Sequence, residues 1–68
     1  MTGRNNNMPF INVKLWKGRT NEQKRALIRE LTKSTCETID CTSDQVQISI
    51  EEFEKTNWGL NGKSADEE

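Results

Sequence analysis

The sequence contains no histidine, and only one proline and two cysteines, among 68 residues. The absence of histidine removes the commonest general base of enzymes, the Ser-His-Asp and Cys-His arrangements and most transition-metal sites. Any acid–base chemistry must therefore use another group, and no metal is expected. Cys36 and Cys41 have neither CxxC spacing nor a second pair of cysteines. Zinc and thioredoxin-like chemistry are therefore poorly supported, and two reduced thiols are expected.

Long hydrophobic runs are also missing. No apolar segment approaches the roughly 20 residues that a bilayer requires, and the opening MTGRNNNMPF lacks the hydrophobic region of a secretory signal. A chain of 68 residues is also too short for a second folded domain. These absences predict one small domain, no membrane partner and a cytoplasmic location.

The formal net charge is −1, from ten basic and eleven acidic residues, which argues against a general electrostatic interaction with nucleic acid. The charges are unevenly spread along the chain. Residues 14–33 contain seven basic and two acidic side chains, whereas residues 37–54 contain six acidic and no basic ones. This division indicates either two differently charged solvated faces or a cationic pocket for a small anionic ligand.

Alternation of apolar and polar residues predicts a first strand over residues 10–16. Pro9 opens this strand, at a position where a proline removes no ladder bond. Thr20 and Gln23 then fit a capping box, and apolar residues at helical spacing predict a helix over residues 21–39.

Alternation returns over residues 45–53 and predicts a second strand. A strand, a helix and a second strand make a single βαβ unit of the α/β class, with a right-handed crossover and two parallel strands. Around this unit we predict a disordered or removed leader over residues 1–8, a domain over residues 9–63 and a tail over residues 64–68, with fraying from residue 63 to residue 68.

One βαβ unit leaves one face of its sheet and both edges open to water, so it cannot be a finished protein. Below roughly 70 residues a single core seldom supplies more than about 3–5 kcal/mol. Oligomerisation is the physical remedy, beginning with a dimer formed by pairing of sheet edges. The predicted open face carries aromatic and polar side chains, namely Phe10, Asn12, Lys14, Trp16, Gln47 and Ser49.

Three segments carry a resemblance to a known family. They are PFINVKL from residue 9, GRTNEQK from residue 18 and NWGLNG from residue 57. In this order and spacing they resemble the 4-oxalocrotonate tautomerase family over residues 9–63. The resemblance implies a βαβ subunit that dimerises into a four-stranded sheet with two helices on one side. It further implies a homohexamer of three dimers, and a dimer alone is the alternative.

The same resemblance implies roles for three residues. Pro9 matches an amino-terminal proline whose amine moves a proton between carbons of a 2-hydroxy-dienoate, giving the conjugated 2-oxo acid without a cofactor. An α-amino group has an ordinary pKa of about 7.7–8.0, and an apolar pocket with nearby cations lowers it enough to free the amine. Arg19 matches an arginine that binds the substrate carbonyl or carboxylate. Trp58 occupies the position of a pocket aromatic, usually phenylalanine.

Each of these residues also has a simpler structural explanation. A proline at the start of a strand marks an edge, an arginine beside a helix start is solvated, and an exposed tryptophan anchors an oligomer. In addition, eight residues precede Pro9. Its nitrogen therefore lies in an amide unless translation begins at Met8 or the leader is cleaved.

Gln47 stands on the second predicted strand, where the best-studied tautomerases carry another arginine that binds the distal carboxylate of a diacid. Glutamine offers hydrogen bonds without charge, so binding of a dianion should weaken. We therefore predict a preference for a mono-acid enol, such as the enol of an aryl pyruvate. Gln47 itself is a candidate substrate contact.

Two other functions stay open. A related proline-based hydratase, dehalogenase or decarboxylase usually needs an added carboxylate or a second arginine near the proline. The Glu51-Glu52 pair, which we expect to be solvated, is too weak a signal to indicate one. The alternative from another class is a catalytically altered, non-enzymatic oligomer in which the leader blocks Pro9.

Overall fold

The computed structural model describes residues 8–67 of the chain. Its main elements are β1 (Phe10–Trp16), α1 (Asn21–Ile39), β2 (Gln47–Phe53), β3 (Gly59–Leu60) and β4 (Lys63–Ser64). Single 3₁₀ turns occupy Ser43–Gln45, Lys55–Asn57 and Ala65–Glu67. Residues 1–7 of the predicted leader and Glu68 of the predicted tail lie outside the described residues. No helix in the described range is long and apolar enough to cross a membrane.

β1 and β2 form a two-stranded parallel sheet and are joined by α1, which confirms the predicted βαβ unit. The register runs without a break from Phe10 opposite Gln47 to Trp16 opposite Phe53. The observed bounds of β1 and α1 match the predicted ones. The two strands therefore begin at one end of the sheet, the amino end, and finish at the other, the carboxyl end.

An ion pair joins α1 to the face of the sheet that it covers. Lys24 Nζ of α1 lies 2.9 Å from Glu52 Oε1 of β2, and both side chains are mostly buried. The prediction that Glu52 is solvated is therefore wrong, because strand alternation turns it toward the helix. Its neighbour Glu51 belongs to the opposite, open face, where it lies 3.2 Å from Lys14.

α1 begins at a complete capping box, as predicted. The Thr20 hydroxyl accepts a hydrogen bond from the Gln23 N–H at 3.0 Å, and the Gln23 side chain accepts one from the Thr20 N–H at 2.9 Å. These bonds satisfy backbone donors that the first turn leaves unpaired, and such a cap contributes about 1 kcal/mol. The cap also fixes the path of the chain immediately after Arg19.

β2 begins two residues later than predicted. The expected strand over residues 45–53 is shorter because Ser43–Gln45 forms a 3₁₀ turn. The Gln45 N–H donates to the Thr42 carbonyl at 3.0 Å, and the Gln45 side chain accepts from the Thr42 N–H at 3.4 Å. Because the turn uses both groups of Gln45, the first residue of β2 is Gln47.

The prediction of fraying is wrong for residues 63–67, because a hairpin and a 3₁₀ turn order this end of the chain. β3 and β4 pair antiparallel around Asn61 and Gly62, whose φ angles are 57° and 80°. An Asn-Gly pair in this left-handed region is the strongest short hairpin signal. The Ala65 N–H then donates to the Trp58 carbonyl at 2.9 Å. The hairpin therefore holds the segment that carries Trp58.

Two hydrogen bonds close the last turn. The Ser64 N–H and hydroxyl donate to Glu67 Oε2 at 3.1 and 2.9 Å. The backbone bond, helped by the hydroxyl, lowers the pKa of Glu67 from its ordinary value of 4.5. A pKa that is lower in the folded chain means that the ionised Glu67 carboxylate stabilises the fold. This stabilisation is fully present above pH 4.5 and is lost as the pH falls through the lowered pKa.

The isolated subunit has no closed core, since no side chain among residues 8–67 is fully buried. Large apolar side chains are exposed at both ends of the molecule. Met8 and Phe10 are 57% and 64% exposed beside the amino end of the sheet, and Leu60 of the hairpin is 69% exposed. Each Å² of such surface is unfavourable by about 25 cal/mol in water. The subunit therefore gains stability from any contact that covers these residues.

Candidate active site

The predicted site residues lie at the two opposite ends of the β1–β2 sheet. Pro9 and Gln47 lie at the amino end, where the Gln47 N–H donates to the Pro9 carbonyl at 3.0 Å. Pro9 is half-buried and Gln47 is exposed. Arg19 and Trp58 follow the last residues of β1 and β2, at the carboxyl end. Within one subunit, Pro9 therefore lies beside Gln47, and Arg19 and Trp58 line one pocket, but the two pairs lie at opposite ends of the sheet.

A pocket of about 220 Å³, here called the Arg19 pocket, opens at the carboxyl end of the sheet. Its lining residues are Lys14, Leu15, Trp16, Arg19 and Trp58. The turn after β1 positions Arg19. The Lys17 N–H donates to the Phe53 carbonyl at 2.9 Å, and Gly18 adopts a φ of 133°, which disfavours any side chain. Arg19 is therefore held between the end of the sheet and the cap of α1.

Aromatic rings form one wall of the Arg19 pocket. The ring centre of Trp58 lies 6.0 Å from that of Trp16 and 5.5 Å from that of Phe53, and both pairs pack edge to face. Such pairs contribute about 0.5–1.5 kcal/mol beyond area burial. Sequence reasoning assigned Trp58 to a pocket but placed Trp16 only on the open face, where it expected contact with a partner chain. Strand alternation was the available signal, because it places Trp16 on the same open face as Lys14.

Trp16 combines a cation contact with an unsatisfied donor. Lys55 Nζ lies 4.8 Å from the centre of the Trp16 ring, which is a cation–π distance. The indole Nε1 of Trp16 is buried, and no acceptor within the described residues binds its hydrogen. A buried donor left in this state is unfavourable by about 1–3 kcal/mol. Trp16 would therefore gain from an acceptor that another molecule supplies.

Arg19 is a pocket cation that no carboxylate of the described residues neutralises. Four ion pairs are formed within residues 8–67, and Arg19 belongs to none of them: Lys14–Glu51, Lys17–Glu54, Lys24–Glu52 and Arg25–Glu22. The donors of a guanidinium form a rigid fork that matches a carboxylate. The Arg19 pocket is therefore suited to a small anion.

Pro9 and Arg19 do not meet within one subunit. The seven residues of β1 lie between them, and a strand advances about 3.3 Å per residue, so the two residues are roughly 20 Å apart. A small substrate does not span this distance. Any site that uses both residues must take them from different protomers.

Comparison with known proteins identifies the class to which this subunit belongs. The family model described as tautomerase enzyme matches residues 9–67. The solved structure of TomN, a 4-oxalocrotonate tautomerase homologue in the tomaymycin biosynthetic pathway, is 32% identical with a TM-score of 0.85. The match covers 87% of this chain and 91% of TomN. The subunit therefore has the tautomerase βαβ fold.

Two relatives agree with this assignment. A probable tautomerase of Halalkalibacterium halodurans is 39% identical over 56 residues, which cover 82% of this chain and 92% of that protein. The 2-hydroxymuconate tautomerase of Comamonas testosteroni is 38% identical over 60 residues, which cover 88% of this chain and 95% of that enzyme. The chain belongs to the tautomerase family, which confirms the resemblance found in its sequence.

Proposed function

We propose that the protein is a cofactor-free tautomerase that interconverts the enol and keto forms of a 2-oxo acid. The observation that carries this proposal is the Arg19 pocket, in which a guanidinium without a carboxylate partner among the described residues shares a pocket with two indole rings. A tautomerase must stabilise an enolate, and a positive charge beside the reacting carbonyl oxygen does this. Membership of the tautomerase family supports the same conclusion.

Pro9 is the proposed general base. Pro9 directly precedes β1, which begins at Phe10. Because a proline inside a chain has no backbone N–H, this position costs the sheet no hydrogen bond. Once residues 1–8 are removed, the Pro9 nitrogen becomes a secondary amine. An α-amino group with an ordinary pKa of about 7.7–8.0 titrates close to neutrality, which suits a general base. Cleavage of the leader, or translation from Met8 followed by loss of that methionine, is a condition of the proposal.

The proposed reaction moves one proton within the substrate. The Pro9 amine accepts the hydroxyl proton of the enol, and C3 of the resulting enolate takes a proton back from the ammonium, which yields the 2-oxo acid. Arg19 binds the carbonyl or carboxylate oxygens and stabilises the negative charge of the enolate. The amine ends the cycle unprotonated, so no other reagent is consumed.

The reaction requires an oligomer. Because Pro9 and Arg19 lie roughly 20 Å apart in one subunit, the Arg19 pocket of one protomer is completed by Pro9 of another. The exposed side chains of Phe10 and Leu60 provide apolar surface that contacts between protomers would cover. We propose a homohexamer of three dimers, with a dimer as the alternative.

The proposed substrate is a mono-acid with an aryl group, such as phenylenolpyruvate. Gln47, beside Pro9, carries no charge and cannot form the ion pair that a second carboxylate would require. The indole rings of Trp16 and Trp58 offer an aryl group contacts worth about 0.5–1.5 kcal/mol each. Both ends of the sheet therefore favour an aryl mono-acid over a diacid.

The second candidate is an oligomer without this activity, and one observation favours it. Eight residues precede Pro9 in the chain. While they are attached, the Pro9 nitrogen is an amide and cannot act as a base. The Arg19 pocket would then bind small anions without turning them over.

Intact-mass measurement of the protein made from its native gene, combined with an enol-to-keto assay on the same sample, separates these candidates. We expect a mass that begins at Pro9 and turnover of phenylenolpyruvate, and Pro9→Ala should then lower kcat/KM by at least about 100-fold. Greater efficiency on a muconate-type diacid would contradict the substrate assignment. A mass that retains Met1 or Thr2, without turnover, would favour the second candidate.

A further inference from the structure

The end of α1 brings the two cysteines of the chain together. Asp40 ends the helix in the left-handed conformation, with a φ of 62°, and the Cys41 N–H donates to the Cys36 carbonyl at 3.3 Å. A hydrogen bond that spans six residues at such a helix end is characteristic of a Schellman motif. The motif commonly places an apolar contact between the same two positions. Here both of these positions are cysteine.

The two thiols are in contact and lie beside open space. The Cys41 thiol donates to Cys36 Sγ across 4.0 Å, and both side chains are half-buried. They line an open pocket of about 710 Å³ between α1 and the segment that follows it. This pocket shares no lining residue with the Arg19 pocket. In the subunit, a small reagent can therefore reach the thiols without entering the proposed catalytic site.

The contact is close to the geometry of a disulfide. The sulfur atoms would have to approach from 4.0 Å to the roughly 2.05 Å of an S–S bond, while the backbone hydrogen bond keeps the two residues together. A metal site is a poorer match, because in the part of the chain that the structure describes no group of three or more metal-binding side chains is found. The arrangement therefore favours bond formation between the two sulfurs.

We infer that Cys36 and Cys41 form a dithiol modification site, which a small disulfide such as oxidised glutathione converts into an intramolecular disulfide. Cys36 gives its proton to solvent, and its thiolate attacks one sulfur of oxidised glutathione, forms a mixed disulfide and releases the first glutathione thiolate, which takes up a proton from solvent. Cys41 gives its proton to solvent, attacks the Cys36 sulfur and releases the second. Two protein thiols are oxidised, and one glutathione disulfide is reduced to two glutathione molecules.

The surroundings of Cys41 favour the order of the two attacks given above. Partial burial, the hydrogen bond to Cys36 and the negative charges of Asp40 and Asp44 all raise the pKa of the Cys41 thiol. Because the thiolate is the nucleophile, the raised pKa disfavours Cys41 as the first nucleophile. Once Cys36 carries glutathione, Cys41 is the adjacent thiol and the closing step becomes intramolecular.

Thiol trapping after oxidation tests this site in the full chain. The protein is incubated with excess oxidised glutathione, and its remaining free thiols are alkylated with N-ethylmaleimide under denaturing conditions. The mass of the intact chain is then measured by mass spectrometry. The wild-type chain should lose the mass of two hydrogen atoms and take up no maleimide, whereas Cys36→Ser and Cys41→Ser should each retain one glutathione. A wild-type chain that keeps glutathione adducts without closing, or that forms disulfides between chains, would overturn the inference.

A second arm tests whether the folded contact is the cause of closure. Wild-type protein is equilibrated in glutathione buffers of graded ratio, with and without a denaturing concentration of urea. If the folded contact promotes closure, the equilibrium constant for forming the disulfide should be at least about tenfold larger in the folded chain than in the unfolded chain. This ratio corresponds to about 30 mV for a two-electron couple. Equal closure in both conditions would show that the fold does not create the site and would also overturn the inference.

Discussion

The two ends of the β1–β2 sheet differ in what they can supply to a reaction. At the amino end, Pro9 and Gln47 are joined by a backbone hydrogen bond, and neither has a charged side chain. At the carboxyl end, Arg19 shares a pocket with Trp16 and Trp58. In the proposed mechanism, the amino end supplies an amine base after removal of residues 1–8, and the carboxyl end supplies the charge that stabilises an anion. Each end holds half of the proposed site.

This division follows from the topology of the subunit. In a parallel βαβ unit the residues before β1 and those after it are separated by the full length of the strand, and the crossover helix cannot bring them together. The proposed site requires a second copy of the chain that places its amino end against the Arg19 pocket. Oligomerisation therefore serves the proposed chemistry as well as covering apolar surface.

Removing the positive charge from the carboxyl end of the sheet should have the largest effect on catalytic efficiency. Arg19→Gln should lower kcat/KM for phenylenolpyruvate by about 100-fold, because the enolate loses its fixed cation. Arg25→Gln is the matched control, since Arg25 lies on the exposed face of α1 and pairs with Glu22 at 3.7 Å. Steady-state kinetics of both variants check the prediction. An equal loss in the two variants would assign the effect to net charge rather than to the pocket.

Adding a positive charge to the amino end of the sheet should make that end able to bind a second carboxylate, as the carboxyl end binds the first. Gln47→Arg should raise the efficiency on a muconate-type diacid relative to phenylenolpyruvate by about tenfold, because a charged hydrogen bond to a carboxylate adds roughly 1.5 kcal/mol or more. Ser34→Arg, at an exposed position of α1, adds the same charge elsewhere. A ratio of efficiencies that does not change in Gln47→Arg would show that this residue does not contact the distal end of a substrate.

Weakening the aromatic wall should have the smallest effect. Trp58→Leu should raise KM for phenylenolpyruvate by about two- to tenfold, which corresponds to the loss of aromatic contacts of about 0.5–1.5 kcal/mol. Trp58→Phe should keep most of the affinity because an edge-to-face ring is retained. Comparison of KM for aryl and aliphatic enols distinguishes the two variants. A loss that is equal for both substrates would indicate that Trp58 acts through folding of the hairpin.

Elements with local signals were predicted from the sequence, and elements that depend on competing local bonds were not. The capping box of Thr20 and Gln23 marked the start of α1 correctly. Gln45 continued the alternation of β2, but its N–H and side chain belong to the turn before the strand. The hairpin at Asn61-Gly62 carried a readable turn signal that alternation alone does not use.

The site was only partly predictable for a different reason. The resemblance supplied Pro9, Arg19, Gln47 and Trp58 as separate positions, and it carries no information on which of them meet in one subunit. Trp16 was placed correctly on the open face, but its contact with Trp58 depends on how the hairpin folds back over the sheet. Such contacts between distant segments require the three-dimensional structure.

Mixed assembly of two impaired variants tests the shared site most directly. Pro9→Ala and Arg19→Gln chains are unfolded together in equal amounts, refolded, and shown by native mass spectrometry to form mixed oligomers. If each site takes Pro9 from one protomer and Arg19 from another, random assembly gives about one quarter of the sites both native residues, and about one quarter of the wild-type activity should return. Activity no greater than the average of the two separate variants, in oligomers proven to be mixed, would contradict a site shared between protomers.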